Sequence, residues 1–370
     1  MRYRVTCLTP VLVGDGNRLS PIDYMVWKDQ VNVLDQHRIF RLLAKGPRLD
    51  GYLAQLKKAD KLDFASWGGF AQNFAGRRIP FEHSSAAANW ARVAGDALFI
   101  PTFASGASGP YLPATAVKGA LRTGMLFASA KPGMLTDLKQ RLQGPKPPRR
   151  AADAAEEQAL GQAGVDRMRA VAVGDSAPVG KDAFKVYQLR VSTLQAKGAD
   201  AYTLGWKQTS FAEMAPPGTV FEGNWRERAF FTQPEVRRAL RWPEKLDRVS
   251  IFSAANEHSG RVLDLHKKYA AWTGLDALAA SVAELESRRS AAQATGTACL
   301  LSLGWGGGLM SKSAWPDAAN EDLRAVLKSF PFYSRPLNTG LPFPKTRRIV
   351  FMADKPAALP GWVLLEVGQG

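Results

Sequence analysis

Cysteine, histidine and acidic residues are all scarce in this chain. It has two cysteines and four histidines in 370 residues, and 33 Asp and Glu against 49 Lys and Arg. Cys7 and Cys299 both lie in strand-like apolar runs, so they read as buried free thiols in a reducing cytoplasm and not as a disulfide framework. His37, His83, His258 and His266 lack H-E-x-x-H spacing and a Cys-x-x-Cys partner, so no structural zinc is inferred. Neither G-x-x-x-x-G-K-[ST] nor G-x-G-x-x-G occurs, which argues against nucleotide hydrolysis and Rossmann-type binding, and no cofactor is expected. No apolar run approaches the roughly 20 residues of a spanning helix, no basic amphipathic helix stands out, and the start Met1-Arg2-Tyr3-Arg4 carries no leader. The expectation is a cytoplasmic protein with no membrane contact.

The shortage of acid leaves a formal charge of +16. That balance calls for an anionic partner, nucleic acid first, although charge alone also fits a merely soluble basic protein. With 46% hydrophobic residues the chain can bury ample core, and its length suggests two domains.

The pattern along the chain is mixed. Residues 3–13 alternate as a first strand, and 26–34 form a hairpin around Lys28, Asp29 and Gln30. Asp35 caps a helix through Ile39, Phe40, Leu42 and Leu43. Residues 50–95 look helical and then irregular, 97–101 resume a short strand, and a glycine-rich turn at 105–110 leads to Tyr111-Leu112-Pro113. The run Gly144-Pro145-Lys146-Pro147-Pro148-Arg149-Arg150 reads as an exposed linker, with a helix from Ala151 to Leu160 after it. Strands are expected at 165–173, 183–193, 219–225, 298–303 and 362–367, and helix over 234–289. Strands interleaved with helices in both halves predict an α+β protein of two units, 1–150 and 151–370.

Two places carry chemistry. In Leu301-Ser302-Leu303-Gly304-Trp305-Gly306-Gly307-Gly308-Leu309-Met310-Ser311-Lys312, glycines can take φ > 0 and bring backbone N–H groups to a phosphate chain. Trp305 could stack on a base there, and Lys312 could neutralise charge. The alternative is a flexible turn after a buried strand. In Tyr111-Leu112-Pro113-Ala114-Thr115-Ala116-Val117-Lys118-Gly119-Ala120-Leu121-Arg122, Thr115 is a candidate N-cap. Lys118 and Arg122 share a face there, and Val117, Leu121 and Met125 face the core. A positive helix start beside two cations suits a backbone phosphate, and it equally suits a solvated basic face.

The helix start and the L-G-W-G-G-G strand end resemble the RAMP superfamily of CRISPR-associated RNA-binding proteins. Further segments are similar to the family of fifth Csm subunits: Leu8-Thr9-Pro10-Val11-Leu12-Val13-Gly14-Asp15-Gly16, Asp23-Tyr24, Val33-Leu34-Asp35, Gly174-Asp175-Ser176, Pro217 to Gly223, Phe343-Pro344-Lys345-Thr346-Arg347-Arg348 and Gly361-Trp362-Val363. The resemblance implies two ferredoxin-like, RRM-type domains with helical insertions and a glycine-rich loop. It also implies a non-catalytic subunit that caps the 3′ part of the crRNA in a type III-A effector complex, in antiviral defence. The implied partners are crRNA, target RNA in the assembled complex, a neighbouring RAMP backbone subunit and the small helical subunit. Mapped onto this sequence, Thr115, Lys118, Arg122, Gly304, Trp305, Gly306, Gly307, Gly308 and Lys312 would hold RNA. Lys345, Arg347 and Arg348 are further candidates, in a tract that can equally be a solvated loop.

RAMP relatives that cut target RNA use a loop aspartate and a divalent metal, and Asp15 and Asp23 lie in the comparable early loop. Turn chemistry accounts for both residues without metal, Asp15 before Gly16 and Asp23 at a strand start. Metal-free guide processing would need a histidine, for which His37 is the early candidate. A basic scaffold for protein partners is the remaining class, and it predicts little salt-sensitive RNA affinity.

Overall fold

The first strand, β1 (Arg2–Cys7), turns Tyr3, Val5 and Cys7 inward and Arg2 and Arg4 outward. This period-two pattern belongs to a sheet with one face on a core. The computed structural model describes residues 1–58, 60–64, 69–198 and 201–368. After β1 come β2 (Arg18–Leu19) and the hairpin of β3 (Tyr24–Trp27) and β4 (Gln30–Leu34). Lys28 and Asp29 turn that hairpin with φ of 51° and 55°, the sign a tight two-residue hairpin requires. Helices α1 (Gln36–Leu43), α2 (Leu49–Lys58) and α3 (Phe70–Phe74) follow, then β5 (Ala75–Pro80) and α4 (Ser84–Trp90). Asp35 caps α1 as expected, its side chain accepting the Arg38 N–H. The short strands β6 (Ile100–Pro101), β7 (Ser105–Gly106) and β8 (Gly109–Pro110) lead into α5 (Ala114–Ala128), α6 (Met134–Gln143) and α7 (Asp153–Leu160).

The second half begins with β9 (Val171–Ser176), the long hairpin β10 (Lys185–Gly198) and β11 (Ala201–Met214), and β12 (Val220–Glu227). The helical run expected over 234–289 is three helices, α8 (Pro234–Ala239), α9 (Arg248–Thr273) and α10 (Asp276–Thr295). Then come β13 (Ala298–Ser302), α11 (Glu321–Lys328), α12 (Pro331–Leu337), β14 (Thr346–Met352), β15 (Lys355–Ala358) and β16 (Trp362–Val367). Strands that escape the sequence reading include β5, in a stretch read as helical and irregular, β11, and the pair β14 and β15, whose first residues read only as a basic tract. The strand expected from 165 starts only at Val171, because Asp166 caps a 3₁₀ turn at Arg167–Ala170.

The α+β class is observed. The main sheet has the order β13-β16-β1-β12-β9 with every neighbour antiparallel. Without the edge strand β13, the order β16-β1-β12-β9 is that of a ferredoxin-like βαββαβ unit, with α5 in the first crossover and α9 in the second. A second sheet runs β11-β10-β14-β15, and a third, β3-β4-β5, carries the α1 to α3 insertion. Residues 145–150 are exposed, as a linker should be. The sequence division at 150 does not divide the sheets, because β1 lies between β12 and β16 in one ladder.

Helix α9 joins two cores. Ile251, Phe252 and Ala255 pack with the main-sheet cluster, and Val262, Leu263 and Tyr269 with the cluster of Leu194, Ile349 and Phe351. It also covers the open edge of β13. The Asn256 amide donates to the Ala298 carbonyl and accepts the Leu300 N–H, and the Ser259 hydroxyl donates to the Leu300 carbonyl. The backbone of this edge strand is thereby satisfied without a further strand. Helix α5 meets α9 at Gly124, where a Cβ would lie 2.7 Å from the Ala255 Cα. The two thiols are free and buried, and burial pushes that of Cys7 up to about 12.

Candidate nucleic-acid interface

β13 is buried along its whole length and ends in the glycine cluster. Gly304, Gly306 and Gly308 have φ of 66°, 99° and 82°, the left-handed region that disfavours any Cβ. The protein's own atoms set most of this requirement. A Cβ on Gly304 would lie 1.9 Å from the Leu12 carbonyl oxygen, one on Gly306 2.6 Å from Pro360, and one on Gly307 2.6 Å from the Ser311 hydroxyl. The Trp305 N–H donates to that same Leu12 oxygen at 2.8 Å. Only at Gly308 would a Cβ meet nothing within 4 Å among the described residues.

One side of this loop walls a cleft of about 480 Å³, shared with Lys207 and Val191 of the long hairpin, Phe332 and Tyr333 of α12, and 343–348 leading into β14. None of the described residues lining it is a carboxylate. Thus Gly306, Gly307 and Gly308 come together with Lys345 and Arg348, far apart in sequence. The Arg348 guanidinium lies over the Trp305 ring at 3.8 Å from its centroid. Its Nε finds no acceptor among the described residues. Phe332 is 80% exposed, edge-on to Tyr333, and offers an open ring at the mouth.

Strand alternation separates two neighbours that the sequence grouped. Arg347 points inward and is 8% exposed. It donates to His266 Nδ1 at 2.9 Å, to the carbonyls of Pro344 and Thr346 at 2.7 and 2.9 Å, and lies over Tyr269. Burial lowers its pKa to about 10, so it is still charged at neutral pH. Arg347 is therefore an internal clamp and not an exposed RNA contact. Trp305 is half-buried under Arg348 and not a free stacking ring, and Lys312 is exposed at the end of a 3₁₀ turn outside the cleft lining.

The start of α5 is also tied into the protein. Its N-cap is Pro113 and not Thr115, which is exposed within the first turn. The Ala114 N–H donates to the Asp175 carboxylate at 2.7 Å, so a carboxylate already sits where a phosphate was expected. Lys118 donates to the Val171 carbonyl at 3.0 Å, and burial, then Arg228, lowers its pKa. Arg122 pairs with Asp166 and Glu156. Val117, Leu121 and Met125 are buried as expected. The glycine loop and α5 share the main core, where Leu303 and Trp305 pack with the cluster of Leu112, Val117 and Leu121. A backbone relay also connects them, through Leu12 and Val13, the Ala104 N–H on Val13 and the Tyr111 N–H on Ala104.

Turn chemistry holds both early aspartates. Asp15 accepts the Asn17 N–H at 3.0 Å, and Asp23 accepts the Ser20 N–H and hydroxyl on one oxygen and the Gln36 amide on the other. His37 is exposed on α1. Among the described residues no three His, Cys, Asp or Glu side chains are placed to hold a metal ion, and no helix is long and apolar enough to cross a membrane. The sequence reading missed Lys207, Phe332 and Tyr333. Alternation of Tyr202, Leu204 and Trp206 was the signal for the strand that carries Lys207.

The RAMP superfamily matches residues 4–276. No curated protein matches the chain. A chain of the type III-A Csm–crRNA–target RNA ternary complex superposes with a TM-score of 0.69 at 20% identity, covering 99% of this chain and 100% of that one. Csm5 of T. onnurineus superposes with a TM-score of 0.61 at 18% identity, covering 97% and 99%.

Proposed function

The chain belongs to the RAMP superfamily, and from that premise we propose that it is the crRNA-capping subunit of a type III-A CRISPR effector complex. In this reading it binds the 3′ part of the crRNA, ends the backbone filament beside a RAMP neighbour and the small helical subunit, and meets target RNA through the guide, in antiviral defence in the cytoplasm. Full-length likeness to Csm5 and to a chain of a crRNA-bound Csm complex supports the assignment.

The cleft carries the reading. Lys207, Lys345 and Arg348 supply positive charge without an opposing carboxylate, the loop supplies a low wall where a backbone can pass, and Phe332 supplies a ring for any base. Phosphate contacts and stacking hold RNA without reading its sequence, which suits a subunit whose specificity resides in the guide. We further propose that the subunit is non-catalytic. The engagement of Asp15 and Asp23 by turn N–H, hydroxyl and amide donors supports this over the metal-dependent endoribonuclease alternative.

The test is purification with the neighbouring subunits, with sequencing of bound RNA, for wild type and Lys207→Ala/Arg348→Ala. Loss of mature guide 3′ ends or of the terminal subunit in the variant is expected. Unchanged guide ends and assembly would contradict the reading, and a metal-dependent cut abolished by Asp15→Ala would establish the nuclease instead.

A further inference from the structure

The α1 to α3 insertion carries a second basic pocket that shares no lining residue with the cleft. It encloses about 620 Å³, and Arg38, Arg41, Arg48, Leu42, Asn73 and Phe74 line it, with no carboxylate among the described lining residues. Arg38 and Arg41 stand three apart on α1 and so share a face. Both are exposed, as are Arg48 and Asn73. Asp35, three residues before Arg38, is engaged on the Arg38 N–H. Beneath the arginines, the Phe70 and Phe74 rings stand 4.8 Å apart, and the Arg38 guanidinium lies 5.8 Å from the centre of Phe74. Phe40, on the same helix, is 54% exposed.

We propose that this pocket is a second binding site for single-stranded RNA, distinct from the cleft. Guanidinium forks bind phosphate oxygens in pairs. The Asn73 amide offers a donor and an acceptor to a base edge, and the exposed Phe40 ring, outside the pocket lining but next to Arg41 in sequence, offers a face on which a following base can stack. The inference rests on the RNA-holding reading of the cleft and extends it. The chain grips one strand at two separated places, which raises the effective concentration of the second segment once the first is bound.

The test uses the full chain with a 4-thiouridine-containing oligouridylate, mapping photo-crosslinked peptides in wild type, Arg38→Ala/Arg41→Ala, Arg41→Glu and Lys207→Ala/Arg348→Ala. These arginines are exposed, so both insertion variants should melt at the wild-type temperature. Wild type is expected to crosslink both in residues 36–74 and around the cleft. Arg38→Ala/Arg41→Ala should lose only the insertion crosslinks, and its log–log salt slope should shrink by about 0.7 for each phosphate contact removed. Crosslinks confined to the cleft, with an unchanged slope in the arginine variants, overturn the second site and leave the cleft reading intact. Crosslinks confined to the insertion overturn the cleft reading instead. An oligoglutamate of equal charge that displaces the insertion crosslinks as effectively as unlabelled RNA overturns RNA as the occupant.

Discussion

The Arg348 guanidinium stacks on the Trp305 ring, 3.8 Å from its centroid, and joins the glycine loop to the start of β14. A contact of this kind contributes about 0.5–2 kcal/mol depending on desolvation. It gives Trp305 a positioning role, because the ring supports the arginine that faces the cleft. Trp305→Leu is therefore expected to weaken RNA binding only through Arg348. Anisotropy titrations should find the Trp305→Leu/Arg348→Ala double variant no weaker than Arg348→Ala alone. A double variant much weaker than Arg348→Ala would return Trp305 to direct base stacking.

The glycines should differ sharply in tolerance. Gly304→Ala drives a Cβ into the Leu12 carbonyl at a positive φ, so it should unfold the loop or lower the melting temperature by many degrees. Gly308→Ala meets open space and carries only the left-handed backbone cost of about 1–2 kcal/mol. Thermal melts of the two proteins decide this. A Gly304→Ala protein that melts like wild type but loses RNA would assign the glycine to the ligand instead.

Stability should fall in mild acid. Burial first, and the adjacent Arg347 second, hold the His266 pKa well below its ordinary value, and burial lowers that of His258. Both rings are neutral in the fold and protonate more readily in the unfolded chain, so acid favours unfolding. Their contribution is complete above about pH 7 and is lost as pH falls through about 6.5, by at most about 1.4 kcal/mol per pH unit for each ring. Urea melts between pH 7.5 and 5.5 should show this slope, and His266→Gln should flatten it. Wild-type stability that rises toward pH 5.5, or an unchanged slope in His266→Gln, would contradict the assignment.

The insertion sheet is fastened to the long hairpin by Arg77 on Glu213, whose side chain is fully buried. Removing only the arginine strands a buried carboxylate, and Arg77→Ala should cost about 3–5 kcal/mol. Arg77→Met/Glu213→Leu should recover most of that loss. Chemical denaturation of the three proteins measures it, and a double variant as unstable as the single one would refute the pairing argument.

Local chemistry made much of this protein legible in its sequence. The Lys28-Asp29 hairpin, the Asp35 cap, the apolar face of Val117, Leu121 and Met125 and the glycine loop all depend on residues within a few positions of one another. What was hidden depends on distant partners. Asp175 lies 61 residues from the Ala114 N–H that it accepts, and no local rule announces that the helix start is already occupied by a carboxylate. Arg347 and Arg348 look equivalent until the strand register sends one inward. Lys207 was missed although Tyr202, Leu204 and Trp206 alternate just before it, because the pairing of β10 with β11 shifts register between Arg190 and Ser192 and cuts that alternation short.

The central claim is that RNA is held in the cleft of Lys207, Lys345 and Arg348 and not at the start of α5. Fluorescence anisotropy of one single-stranded RNA across a salt series, for Lys207→Ala/Lys345→Ala/Arg348→Ala against Lys118→Ala/Arg122→Ala, tests it most directly. The cleft variant should bind more weakly and shed about 0.7 of log–log slope per lost contact. The helix variant should keep the wild-type slope while melting earlier, because its cations serve Val171, Asp166 and Glu156. A helix variant that loses the slope, beside a cleft variant that keeps it, would contradict the account.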